Sequence, residues 1–337
     1  MIDGFARRYD GNSPHYEVYY GKVDIAEGRA LWFRYTTLDA QTPAGDLQEA
    51  STWAIFFDGE DCQGAKDNYA LDELAAPNTV IVPTGGAPER FAAMRQAFHL
   101  SDDIHLDERN AIGRAGDISW DLNWEDSGRR FSYMPHLLEK IGLAKSTYDD
   151  CLLDLRATGT IRCGDTEVEV DGAPAMVGHI QGKRIMGHSW GWSHCNCFDD
   201  DEDAAFEGLS VRALLGSRVT PTLSAFVVWV EGRRYAFRNP VGMLLNDSEY
   251  AQDQWNFTAR KGDVVLTGEA RSPDNVALVE YTDTDGSHLW CYNSKLSDLE
   301  IRIQDPARGL DRTLRSTGRA AFEHVNRDAP GERPIIM

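Results

Sequence analysis

GHSWGWSHCN, residues 187–196, admits two conformations with different consequences. Gly187, Ser189 and Gly191 satisfy G-x-S-x-G, the spacing of the nucleophile elbow of serine hydrolases. An elbow needs a buried strand before the serine and a helix after it. Here QGKRIM (181–186) precedes, and WGWSHCNCFDDDED (190–203) follows with alternating aromatic residues and no helical period. Read as an extended strand, the segment sorts by face, because side chains two apart share a side. His188, Trp190, Trp192, His194, Asn196 and Phe198 then form one large, proton-capable face. Ser189, Gly191, Ser193, Cys195 and Cys197 form a small one suited to close packing. A strand places His188 and His194 ~20 Å apart and the Cα atoms of Cys195 and Cys197 ~6.6 Å apart. The first spacing rules out one shared metal on a straight strand, and the second is poor disulfide geometry. The hydrolase reading stays as an alternative, with Asp298 or Asp305 and His324 to complete a triad around Ser189.

The period of two extends outward from this stretch. Residues 15–38 read as two strands about a turn at Glu27-Gly28, and 50–60 as a strand running into Asp58-Gly59. DISWDLNWED (117–126) alternates Trp120, Leu122 and Trp124 with polar residues, and 152–172 reads as a hairpin broken at Cys163-Gly164-Asp165. Beyond residue 185 strand-like runs follow one another, with Asp285-Gly286 as a tight-hairpin dipeptide. Helical composition appears in PERFAAMRQAFHL (88–100) and GRAAFEHV (318–325). The pattern predicts an all-β, antiparallel chain of two consecutive barrel or sandwich domains with a few short helices. The Gly- and Pro-containing join at 171–184 divides it into residues 1–175 and 176–337.

Composition narrows the partners. A formal charge of −20, from 54 acidic and 34 basic residues, argues against nucleic acid. No apolar run has the length of a membrane span. IDGFARRYDGN (2–12) lacks the apolar centre of a signal peptide, so a cytoplasmic protein with reduced cysteines is expected. The six cysteines lack zinc spacing, DDDED (199–203) lacks the turn glycine of a calcium loop, and no P-loop or H-E-x-x-H occurs. Neither a metal nor a cofactor is expected; the oligomeric state is open.

Five blocks carry a resemblance: GRALWFRYTTL (28–38), ISWDLNW (118–124), QGKRIMGHSWGWSHCNCFD (181–199), FEGLS (206–210) and LWCYNS (289–294). In this order they resemble the tocopherol cyclase and carotenoid hydratase group, which includes AttH-type bacterial proteins and lipocalin-like fungal Diels–Alderases. The likeness runs from about residue 15 to about 305. It implies two lipocalin-like β-barrel domains with a hydrophobic pocket. It also implies cofactor-free lyase- or isomerase-type chemistry on an isoprenoid- or polyene-like molecule: cyclisation, hydration or isomerisation.

Such chemistry needs an acid held away from water and aromatic faces for a developing cation. Glu207 and Asp121 lie inside apolar strands, where burial favours the protonated carboxyl, and are the candidate acids. His188 and His194 are candidates to relay the proton. Trp190, Trp192, Trp32, Trp255 and Tyr281 are the candidate cation-facing rings, and Asn196 and Asn293 would orient the substrate. Arg34 either binds substrate or pairs with Asp121 between strands. The Trp residues have an equally concrete role as core, and the Asn residues as partners of backbone groups. A carrier that sequesters an apolar ligand without chemistry would use the same cavity. The enzyme reading places the Glu207 carboxyl in the cavity lined by Trp190 or Trp192.

Overall fold

The computed structural model describes residues 5–26, 28–74, 97–133, 146–216, 218–273, 276–330 and 333–337, and only the backbone of 150 and 151. Glu27 of the first expected turn and residues 88–96 of the first helical stretch lie outside the described residues. The chain is nearly all β and forms two curled antiparallel sheets of eleven strands each.

The first sheet contains β1 (His15–Ile25), β2 (Arg29–Thr42), β3 (Gly45–Asp58), β4 (Asp61–Ala70), β5 (Phe98–Ser101), β6 (Ile104–Leu106), β7 (Asn110–Ala115), β8 (Ile118–Asp126), β9 (Phe131–Ser132), β10 (Ser146–Cys163) and β11 (Thr166–Gly182). Its order is β4-β3-β2-β1-β11-β10-β8-β7-β6-β5, with β9 beside β10. The second contains β12 (Gly187–Cys195), β13 (Ala205–Leu215), β14 (Arg218–Val219), β15 (Leu223–Val230), β16 (Arg233–Phe237), β17 (Asp247–Tyr250), β18 (Gln254–Lys261), β19 (Val264–Arg271), β20 (Ala277–Thr282), β21 (His288–Asp305) and β22 (Leu310–Asn326). Its order is β16-β15-β13-β12-β22-β21-β19-β18-β17, with β14 beside β13 and β20 beside β21. The sheets part between Gly182 and Gly187, which leaves residues 176–182 with the first. A helix of six residues, α1 (Pro240–Leu245), is capped by Asn239, whose side chain accepts from the Gly242 N–H at 2.7 Å.

Most strand joins follow the turn residues. Gly164, at φ 55°, turns β10 into β11 at the expected place. Gly159, at φ 139°, lies where β10 slips register against β11; a Cβ there would stand 2.0 Å from the Asp121 carbonyl oxygen. The segment 318–325 is strand, not helix: it belongs to β22, which pairs with both β12 and β21. Two ladders of backbone hydrogen bonds outweigh the helical preference of its Ala and Glu residues.

Each sheet fills its own concave side. Phe33, Tyr35, Trp120 and Leu122 lie in the first core, and Phe206, Phe226, Trp255 and Phe257 in the second. A third apolar cluster joins the two sheets, with Tyr16, Val18, Tyr20, Tyr133 and Met176 on one side and Trp192, Ala205, Ala225, Val227 and Ala321 on the other. This explains why β1 is buried along all of its eleven residues. One face packs inside its sheet, and the other meets the second sheet.

Candidate functional site

A cavity of about 240 Å³ opens at this seam. The expected pocket therefore lies between the two sheets rather than inside either barrel, whose interiors are filled by aromatic rings. Its walls are mostly apolar: Val18, Ile180, Ile185, Leu209, Val211, Leu223 and Met243 stand with Trp190 and four phenols, Tyr16, Tyr133, Tyr148 and Tyr281. A wider polar cleft of about 1090 Å³ shares Ser146 and Met186 with it and gives a route from solvent. Burial pushes the Tyr16 and Tyr281 phenols above their ordinary range, so both stay protonated.

Behind this wall lies Glu207, fully buried on β13. Register places it opposite His194 of β12 and Val227 of β15. Its Oε1 accepts from the Tyr133 hydroxyl and from the Trp192 Nε1–H, while Oε2 lies 2.9 Å from His194 Nδ1. An indole N–H can only donate, so the carboxyl acts there as an acceptor. Tyr133 belongs both to the cavity wall and to this group. Glu207 is thus buried as the sequence led one to expect, but it stands one phenol back from the cavity.

His194 is held neutral. Its imidazole pKa falls to about 3, chiefly because burial strips solvent from the charged form and secondly through the charge of Lys22. Its Nε2 is buried with no hydrogen-bond partner. Lys295, also fully buried, lies 5.3 Å from the Trp192 ring and binds Glu323 at 2.7 Å and Asn293 at 2.6 Å. Among the described residues no group of three or more His, Cys, Asp or Glu is disposed to hold a metal ion. No helix among them is long and apolar enough to cross a membrane.

The other expected residues divide sharply. Trp190, Tyr281 and Arg34 line the cavity. Trp192 packs at the seam with its indole N–H committed to Glu207. Asp121 is exposed: β8 turns Trp120 and Leu122 inward and Asp121 to solvent, so it is neither the buried acid nor the partner of Arg34. His188 sits half-buried at a register slip of β12, between Gly187 and Ser189, and does not line the cavity. The bulge breaks the alternation that would have put it beside Trp190. Trp255 is core of the second sheet, in contact with Phe226, Phe257 and Phe322. Trp32 packs with Trp53 and Tyr281 in a separate cluster behind the cavity. Asn196 is structural, donating to Asp154 Oδ1 at 3.2 Å and to the Ala175 carbonyl at 3.0 Å. Asn293 accepts from Lys295 and does not reach the cavity. Sequence reasoning missed Tyr133, Tyr16 and Tyr148. Tyr133 follows the two-residue strand β9, where no alternation could mark it.

The serine hydrolase reading fails on geometry. Ser189 lies within a strand, and its Oγ is 3.1 Å from the Tyr250 hydroxyl. His324 shares a hydrogen bond with Asn326, Asp298 receives the Gly318 N–H, and Asp305 binds Arg308. Fluorophosphonate labelling is expected to leave the protein unmodified, and Ser189→Ala to keep wild-type ligand binding. Stoichiometric adduct at Ser189 by mass spectrometry would restore the hydrolase.

The fold resembles several solved structures. An AttH-like protein from Nitrosomonas europaea aligns with 10% identity over 97% of both chains, at a TM-score of 0.54. Kievitone hydratase from Nectria haematococca aligns with 9% identity over 97% of this chain and 93% of that one, at 0.52. CghA in complex with Sch210972 aligns with 9% identity over 97% and 96%, at 0.54. At such identities the likeness concerns the fold. No curated protein matches the chain. The model of the tocopherol cyclase-like family matches residues 13–323, so it takes in both sheets, the seam and nearly all of β22. The chain belongs to the tocopherol cyclase-like family.

Proposed function

We propose that the protein is a cyclase- or hydratase-type enzyme for a small molecule with an isoprenoid- or polyene-like body, and that its chemical step is protonation at carbon. One observation carries this reading: the phenol of Tyr133 belongs at once to an apolar cavity wall and to a buried carboxyl. In the reacting form Glu207 is protonated and its hydrogen bond with Tyr133 is reversed: Tyr133 gives its proton to an alkene carbon as Glu207 hands its own to the phenol oxygen. The alkene electron pair forms the new C–H bond, and the neighbouring carbon becomes cationic. The negative charge comes to rest on Glu207, where the Trp192 N–H stabilises it. Faces of Trp190, Tyr148 and Tyr281 stabilise the cation by ~0.5–2 kcal/mol per well-placed ring. The apolar walls keep out water until ring closure or hydration ends the reaction. Glu207 and His194 act through Tyr133 and are positioning and relay residues.

The family and the fold of kievitone hydratase support this class of reaction. The test is incubation in D2O with prenylated phenols and linear polyenes. Turnover is expected to leave one deuterium on carbon in the product, read by mass spectrometry. Tyr133→Phe should slow it about a hundredfold, as loss of a general acid does, without loss of ligand binding. Ligands that bind and return unchanged and unlabelled from every incubation would leave a carrier in its place.

A further inference from the structure

Arg34, on β2 opposite Tyr20, is buried in the cavity wall at 8% exposure. Its Nε donates to Thr36 Oγ1 at 2.9 Å, and its guanidinium lies 4.2 Å from the Tyr281 ring centre and 5.0 Å from that of Trp53. Among the described residues neither terminal amino group has an acceptor, and no carboxylate forms an ion pair with it. The two acids that share its aromatic neighbours are committed elsewhere: Asp283 to Arg327 at 2.6 Å and Glu323 to Lys295 at 2.7 Å. A guanidinium keeps its charge in a protein, and ring faces replace only part of its lost hydration. A buried cation without a counter-charge calls for one.

The same wall offers a second donor. The hydroxyls of Tyr16 and Ser146 are hydrogen-bonded to each other and both line the cavity. Two hydroxyls carry two protons, and their mutual bond uses one, so the other is available to a third oxygen. Beyond these groups lie Ile180, Leu209, Val211 and Met243. The chamber therefore has a cationic, hydrogen-bonding part and a greasy remainder.

We infer that Arg34 selects amphipathic ligands whose head is a delocalised oxyanion, a carboxylate or an enolised β-diketone, with the apolar body lying along Trp190. This rests on the ligand occupying the cavity named under the proposed function. Two oxygens sharing one negative charge match the guanidinium fork, and the hydroxyl pair reaches whichever oxygen retains a lone pair. Such a head also neutralises a cation that would otherwise oppose a carbocation forming in the same chamber.

The test compares decanoate, decanol, decyltrimethylammonium and 2-decanoyl-1,3-cyclohexanedione, whose acyl and ring oxygens lie side by side, by titration calorimetry. Wild type should bind both oxyanions at least about tenfold tighter than decanol, and the ammonium least well. Arg34→Met should erase that preference while leaving decanol within about threefold of wild type, since the apolar walls are untouched. Arg34→Lys should restore part of it, because a point charge cannot form both bonds of the fork. Preference for decanoate alone would mark a carboxylate ligand, and preference for the diketone an enolate. Wild type that binds decanol or the ammonium as tightly as both oxyanions overturns the inference, whether or not Arg34→Met folds. So does an Arg34→Met protein that keeps the preference. A protein that shows the preference but no carbon-bound deuterium in D2O retains this site and loses the enzymatic reading.

Discussion

Glu207→Leu is expected to destabilise the fold by about 3–5 kcal/mol, whereas Glu207→Gln folds nearly as well and loses the reaction. Leucine has the right bulk but no oxygen, so it leaves the Trp192 N–H, the Tyr133 hydroxyl and His194 Nδ1 without their partner. All three residues are buried, so bulk solvent has no direct access to replace it. Each buried group left unsatisfied costs about 1–3 kcal/mol, partly offset by no longer burying a carboxyl. Glutamine keeps an acceptor oxygen for Trp192 and Tyr133 and turns its amide toward His194, so its loss should stay near 1 kcal/mol. It cannot hand on a proton, however. If Glu207 and Tyr133 form one relay, Glu207→Gln lowers turnover by about a hundredfold or more. The double variant with Tyr133→Phe should then be hardly slower than either single variant. Urea midpoints and D2O turnover on the wild type and the four variants check this. Multiplied losses in the double variant would mean that the two groups act separately. A carrier would show the stability differences alone.

The sequence made the seam only half legible. Alternation along 187–196 identified an extended segment, and β12 supplies Trp190, Trp192 and His194 to one side of it as the period of two requires. Glu207 stood out as a carboxyl in an apolar run, and its register opposite His194 follows from the β12–β13 pairing. His188 was misplaced because a bulge in a strand leaves no trace in a hydrophobic pattern. Asp121 was misplaced against its own pattern: Ile118, Trp120 and Leu122 share one face and Ser119, Asp121 and Asn123 the other, so the alternation already set Asp121 on the polar face that meets solvent. The cavity itself was not legible. Tyr16, Tyr133, Ser146, Tyr148 and Trp190 are drawn together only when the outer faces of two sheets meet, and local periodicity carries no information on that meeting.

Acid is expected to unfold the protein through two histidines before most carboxylates titrate. His194 has a folded-state pKa near 3 and His324 near 4, both lowered by burial, against about 6.5 in an unfolded chain. A histidine whose pKa is lowered on folding stabilises the fold fully above the unfolded value. That stability fades as pH falls from 6.5 towards the folded value, because the unfolded chain takes up a proton that the native protein refuses. Two such groups give a slope that approaches about 3 kcal/mol per pH unit well below pH 6.5, or about 3 kcal/mol lost between pH 6.5 and pH 5. That is a large part of the ~5–15 kcal/mol that holds a typical domain together. Glu17 adds to the loss at lower pH: burial is opposed by the nearby imidazoles of His15, at 3.7 Å, and His179, hydrogen-bonded at 2.8 Å, which hold its carboxyl below the usual range. Its share is lost only as pH falls below about 4. The urea midpoint of the wild type should therefore fall steeply from pH 6.5 to pH 5. In the His194→Gln/His324→Gln variant the absolute midpoint shifts with the altered contacts, but its slope over this window should be much shallower, the remainder coming from His99, which burial also lowers. Equal slopes in the two proteins would place the acid sensitivity in other groups and would mean that His194 takes up a proton within the seam. It would then be a cation beside Glu207 in the working protein, and the proton handed to Tyr133 would originate from the imidazole.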